Sequence, residues 1–371
     1  MNIENFEMER WQSKWEHKVD FNLSESGVHP LSFEEMMDFI DMKNLSDTLL
    51  GYIQTDGTRE LKKQIAEIYS NADEENILVT NGSSEANLIS IWSLVEPGME
   101  TLFMLPNFMQ IYGLMRAFGA NMKTFFLKEE KNWQPDLDEL KKLVTKNTRI
   151  ISVTNPNNPT GAQLSEKARE TIIDLAKWSK AWLICDEVYQ GAELNGKLTP
   201  TFWNRYDKTI ICCGLSKSYG LSGLRVGWVV APKKIIQNLW KYKDYTTISI
   251  SALSDKLACA ALEPNNRKRI FMRTRSIIKK NYDILESWMN HQHGLFKCVP
   301  PKAGAISFPG YSININASKL AEIALREKSV LIQPGDHQKV DYHIRIGLGE
   351  KPEKFKKALQ RLEEVFRKLY S

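Results

Sequence analysis

Residues 150–189 read IISVTNPNNPTGAQLSEKARETIIDLAKWSKAWLICDEVY, and this stretch decides the fold. Ile150–Thr154 is a short apolar run, the pattern of a strand buried on both faces. A loop with two prolines and a glycine follows. Ser165 can then cap a helix running to about Lys180. Trp182–Cys185 is a second apolar run, closed by Asp186. Two such strands joined by a helix form a crossover unit, and crossover units build parallel sheets.

The alternation continues on both sides. Ile77–Thr80 reads as a strand, followed by a glycine turn and a helix over Ser84–Val95. Thr101–Leu105, Met122–Leu127, Thr209–Cys213 and Val226–Ala231 read as further strands. Phe108–Phe118 and Asp136–Val144 read as helices, the second with acidic residues in its first turn. The middle of the chain is therefore α/β, with a largely parallel sheet covered on both faces. The ends differ. Residues 32–44 read as one helix opened by a capping box, Ser32 with Glu35. Arg267 to about Met289 reads as one long helix that can bridge two domains. Short strands near Phe296–Val299, Ala305–Phe308 and Ile344–Gly347 follow, with helices near Ala317–Lys328 and Glu353–Leu369. We expect a large domain over 46–275. A smaller α/β domain is expected from 276–371 together with the N-terminal segment 1–45. A ligand should lie between them, at the carboxyl ends of the parallel strands.

Composition narrows the function. The chain has 371 residues, enough for about two domains. Hydrophobic residues at 42% and charged residues at 26% exclude a disordered polymer, a collagen-like fibre and a small disulfide scaffold. The 50 basic and 45 acidic residues leave a net charge of +5, too weak at this length to argue for nucleic acid. The basic run RKRIFMRTRSIIKK (267–280) reads as the solvated face of a long helix. No apolar run approaches the roughly 18 residues that span a bilayer. The start, MNIENFEMER, lacks the basic and apolar regions of a secretory signal, so the expected location is cytoplasmic. The five cysteines have no zinc spacing and read as free thiols. His291 and His293 read as surface residues, so no metal site is expected.

Several residues carry chemistry. Lys217 follows an apolar strand in GLSKSYGLSGLRVGW, and a lysine at a strand end can form a Schiff base when its surroundings tune its pKa. Arg225, between Gly223 and Gly227, can grip a phosphate bidentately. Gly82-Ser83-Ser84 opens a helix after a strand, either an anion site or an ordinary helix start. Asp186 and Tyr189 suit a pyridinium nitrogen and a ring hydroxyl. The loop NPNNPTG (155–161) leaves Asn158 free to hydrogen-bond a ligand.

Taken together, NPNNPTG, DEVY, SK and GLRVG resemble the aminotransferase class I/II family, pyridoxal-phosphate enzymes of fold type I, from Tyr52 to Arg345. The resemblance implies a mostly parallel seven-stranded sheet in the large domain, and pyridoxal 5'-phosphate as cofactor. It implies that Lys217 holds the cofactor as a Schiff base and later moves the proton at the substrate's α-carbon. Asp186 would pair with the pyridine nitrogen, and Asn158 and Tyr189 with the ring oxygen. Phe108 would stack on the ring, while Ser83, Ser84 and Arg225 hold the phosphate. Many relatives have a serine three residues before the lysine; here that position is Gly214, and Ser216 is the substitute. Tyr52 matches a tyrosine reaching the neighbouring subunit's phosphate, which implies a homodimer, with Thr246 and Thr247 as further shared-site candidates. Arg345 matches the arginine that binds the substrate's α-carboxylate.

The resemblance fixes removal of the α-proton from an amino acid, with transamination to a keto acid as the default outcome. The segment NLSESGVHPLS (22–32) departs from the common family pattern. Gly27 is expected in the loop lining the substrate, with Glu25, Ser26 and His29 near its side chain; His29 is equally a plain loop residue. Glu7 and Glu9 are either a solvated helix face or acidic residues over the site that suit a cation such as a guanidinium. The chain is also similar to the branch with capreomycidine synthase and the enduracididine-forming cyclases. That branch implies elimination and ring closure on a hydroxylated L-arginine. No second arginine for a dicarboxylate's distal group is evident. A non-catalytic regulator that kept the fold would be marked by loss of Lys217 or Asp186, and both are present.

Overall fold

The computed structural model describes residues 3–370; the remaining positions of the two terminal segments, 1, 2 and 371, lie outside the described residues. The strands run across one sheet in the order Ile77–Thr80, Gly227–Val230, Thr209–Gly214, Trp182–Asp186, Thr148–Thr154, Glu100–Leu105 and Asn121–Lys128, with Gln134–Pro135 at the far edge. Neighbours from Thr209–Gly214 to Asn121–Lys128 are parallel. Gly227–Val230 is antiparallel to both its neighbours. The seven expected strands thus gain an eighth, a two-residue edge pair too short to show a period-2 pattern.

Successive strand residues supply opposite faces. Leu183 and Cys185 enter one apolar core, while Ile184 enters the core on the other face. Helices cover both faces, so the central strands such as Trp182–Asp186 are buried and read as apolar runs.

A separate apolar core joins Leu23 and Val28 to Ile278, Leu285, Ile344, Phe355 and Phe366. Here Phe21–Asn22 pairs in parallel with Val330–Leu331, so the two chain ends share structure. The helix Pro264–Asn290 links the cores, with Ile270 in the first and Ile278 in the second. The boundary expected at 275/276 falls inside this helix.

The helix expected over 32–44 is two short ones, Phe33–Met36 and Met42–Ser46. The Ser32/Glu35 capping box forms, but Asp41 is extended and its side chain caps the second helix by accepting from Lys43 N–H. A helix over Glu7–Trp15 buries Met8 and Gln12, and Trp11 Nε1 anchors it by donating to Ile332 O at 2.9 Å. Among the described residues no helix is long and apolar enough to cross a membrane.

Candidate active site

The carboxyl ends of three parallel strands, at Thr154, Asp186 and Gly214, open into a cavity of about 420 Å³. The N-terminal helix and Arg345 close it from the other side. This is where parallel sheets bind ligands.

Lys217 projects into the cavity three residues past its strand. Its Nζ lies 2.9 Å from Glu25 Oε1. Burial pushes the ammonium's pKa down, but Glu25 and Tyr189 more than offset this, and the pKa stands above the ordinary lysine value. Asp186 is 5% exposed. It accepts from Val188 N–H at 3.0 Å and from Asn87 Nδ2 at 3.4 Å. Burial raises its pKa, and these donors offset only part of that rise. A cation at the cavity end of Asp186 would restore its ordinary acidity.

The helix Ser83–Leu94 presents its N-terminus to the cavity, with Ser83 and Ser84 in the lining. Gly82 has φ +79°, and a Cβ there would stand 2.3 Å from Arg225 Nη2. Only glycine lets that guanidinium lie against the helix start. The result is a cradle for a phosphate: open N–H groups, a helix dipole and a cation. Gly214 has a similar cause. A Cβ there would lie 2.9 Å from Val226 O, so the serine common in relatives has no room without a shift. Ser216 Oγ instead meets Arg225 Nη1 at 3.5 Å.

Phe108 lines the cavity and meets Phe6 edge-on at 5.3 Å between centroids. The Tyr189 hydroxyl donates to Ser26 O at 3.1 Å, and burial raises its pKa. Arg345 is 1% exposed, and burial lowers its pKa. It donates to Asn158 Oδ1 at 3.0 Å and to Ser24 O, while its buried Nε has no partner. Among the described residues no carboxylate lies within ion-pair distance of it; Glu25 and Glu9 act on it from farther off.

The wall above Lys217 is acidic. Glu9, Gln12 and Glu16 share one face of the N-terminal helix by their spacing, and all line the cavity with Glu25. Glu7 instead lines an adjoining hollow beside His337. Gln12 and Glu16 are additions to the residues expected from sequence; the N-terminal helix that aligns them has no strong sequence signature.

Outside this cavity lie His29 and Gly27, expected near the substrate, and Tyr52, Thr246 and Thr247, expected at a shared site. His29 Nδ1 lies 2.8 Å from Gly349 O, drawn there by the backbone bond from His29 N–H to the same carbonyl. Gly27 is buried behind Glu25, its N–H donating to Glu25 Oε1 at 2.8 Å. Tyr52 is 83% exposed, beside a shallow surface depression. Thr246 and Thr247 both donate to Glu85 Oε1, the second at 2.7 Å, which tethers their loop to the phosphate-cradle helix.

Comparison with known proteins agrees with this geometry. The sequence model of the family described as aminotransferase class I and II matches residues 22–362. Capreomycidine synthase of Streptomyces vinaceus is 28% identical, covering 88% of this chain and 85% of its own. The crystal structure of a PLP-dependent aminotransferase from Streptococcus suis superposes with a TM-score of 0.93 at 29% identity, covering 100% of this chain and 99% of that one. The PLP-dependent cyclase OrfR superposes with a TM-score of 0.91 at 25% identity, covering 99% and 98%. The cradle at Gly82, the cation-poor carboxylate of Asp186 and the cavity amine of Lys217 fit pyridoxal phosphate: an anion holder, a pyridinium partner and a carbonyl-capturing amine.

Proposed function

The chain belongs to the aminotransferase class I and II family, an enzyme family that uses pyridoxal phosphate, and from that premise we propose that it eliminates water from a hydroxylated L-arginine and closes a guanidine ring. The observation that carries this reading is the set of carboxylates, Glu9, Glu16 and Glu25, that line the same cavity as Lys217. Carboxylates there suit a guanidinium and repel the distal carboxylate of an acidic amino acid.

When bound, pyridoxal phosphate supplies an electron sink for the pair left at the α-carbon. The chain's own residues do the rest. Ser83, Ser84 and Arg225 would hold the phosphate, and Asp186 would keep the ring nitrogen protonated. Asn158 and Tyr189 would hydrogen-bond the ring oxygen, and Phe108 would lie against the ring. Arg345 grips the α-carboxylate bidentately, which fixes the α-carbon bond to be broken. Lys217 Nζ would take the α-proton and, after exchange with solvent, return a proton to the same carbon. Across the reaction one C–O bond breaks, one C–N bond forms, and one water leaves; the α-amino group stays in place.

Tyr52, Leu49, Leu50 and Tyr245 are exposed apolar groups, each more than 80% accessible. We propose that a second copy covers them in a homodimer, with Tyr52 reaching the neighbouring phosphate.

Transamination of a basic amino acid is the second reading. It is favoured by the likeness to the Streptococcus suis aminotransferase, and the same groups perform its first half. Incubation with β- and γ-hydroxy-L-arginine in deuterated water, followed by product mass analysis, tests the two. Ring closure gives a product lighter by one water and carrying α-deuterium. Release of a keto acid instead would establish transamination.

A further inference from the structure

Glu25 occupies an unusual position for a residue expected at the substrate side chain. Its Oε1 accepts from Lys217 Nζ at 2.9 Å, from Ser26 N–H at 2.9 Å and from Gly27 N–H at 2.8 Å. Its Oε2 accepts from Gln12 Nε2 at 3.1 Å. The two backbone donors and Gln12 hold the carboxylate in place. Lys217 is the one partner in this set that the cofactor would bond. A free ammonium offers three N–H donors, whereas a lysine nitrogen bonded to a carbonyl carbon offers at most one. Bonding of Lys217 to the cofactor would therefore leave Glu25 with at most one N–H from the lysine and free acceptor capacity on the cavity wall. Arg345 lies beyond ion-pair distance of Glu25, with Nη1 donating to Asn158 Oδ1 and Nη2 to Ser24 O.

We propose that Glu25 is an exchangeable counter-ion, holding the Lys217 ammonium before the cofactor is bonded and the substrate's cationic side chain afterwards. This rests on the cationic-substrate reading above. Burial alone would raise the Glu25 pKa, but Lys217, the Gly27 N–H and Arg345 hold it at about 2, so the group stays ionised. One carboxylate then serves two cations in turn. It holds the free lysine and, while Lys217 is bonded to the cofactor, attracts an incoming guanidinium.

Two measurements on Glu25→Gln test the exchange. In the cofactor-loaded enzyme, dissociation constants for L-arginine and for its neutral isostere L-citrulline are read from cofactor absorbance. Wild type should favour arginine, and Glu25→Gln should cut that preference about tenfold or more, mainly by weakening arginine. Glu25→Asp, which keeps the charge, should retain most of it and so separates charge from fold. In cofactor-free protein, Glu25→Gln should take up pyridoxal phosphate about tenfold faster at neutral pH, because a larger fraction of Lys217 is neutral amine. An unchanged arginine preference in Glu25→Gln would overturn the exchange. Wild type with no arginine preference, but with faster uptake in the variant, would overturn the cationic-substrate reading while the lysine ion pair stands.

Discussion

Arg345 Nη1 donates to Asn158 Oδ1 at 3.0 Å, and Gln338 Nε2 approaches the same oxygen at 3.4 Å. With both donors on Oδ1, the asparagine's own N–H₂ is left to donate elsewhere. The arginine expected at the substrate carboxylate thus also sets the amide expected at the cofactor ring. Arg345→Lys removes the planar fork and the bond to Asn158. We predict a KM raised about 10- to 100-fold, together with a shifted pH titration of the bound cofactor's absorbance. A variant with raised KM and an unchanged titration would break the proposed link.

Lys217→Ala removes the cavity amine. Turnover should fall by about a thousandfold or more, since a positioned general base contributes on that scale. Borohydride should no longer fix the yellow colour to the protein. A variant with normal turnover would refute the assignment.

Gly82→Ala tests the phosphate cradle. The added methyl meets the Arg225 guanidinium at 2.3 Å on a backbone of φ +79°, so either the helix start or the arginine must move. The dissociation constant for pyridoxal phosphate should rise about tenfold or more, as should that of Arg225→Ala. Unchanged cofactor affinity in both variants would remove the cradle from the account.

Glu187 supplies a stability test away from the chemistry. It is fully enclosed, and burial raises its pKa from 4.5 to about 7 against the opposing donors at Phe202 N–H and Thr201. The folded protein therefore holds a proton that the unfolded chain has released. Its contribution is complete below pH 4.5 and is lost as pH rises through about 7. Across that window the unfolding free energy should fall by about 3 kcal/mol, and Glu187→Gln should flatten the fall. Denaturant titrations at pH 5 to 8, buffered at about half-unit steps, check this. Parallel profiles for variant and wild type would contradict it.

The sheet was legible because its central strands are buried on both faces and read as apolar runs between turns, as at Trp182–Asp186. The capping boxes and N-caps at Ser32 and Ser165 also read directly. Two-residue strands such as Phe21–Asn22 and Gln333–Pro334 did not, because their pairing is set by tertiary contact rather than by a local period. In the site, Lys217, Asp186 and Asn158 were visible from their places after apolar strands, whereas Phe108 and Arg345 came only from the family resemblance. Gln12 and Glu16 were hidden, since their helix is brought over the cavity by Trp11 and Ile332, far apart in sequence. His29 is a loop residue tied to Gly349 O, which no local pattern announces.

The fate of the α-nitrogen tests the central claim most directly. Hydroxy-L-arginine labelled with a heavy isotope at the α-nitrogen is incubated with the loaded enzyme and an unlabelled keto acid. The account predicts a cyclic product, lighter by one water, that retains the label in full. Label appearing in the amino acid formed from the keto acid would contradict it and make the enzyme an aminotransferase.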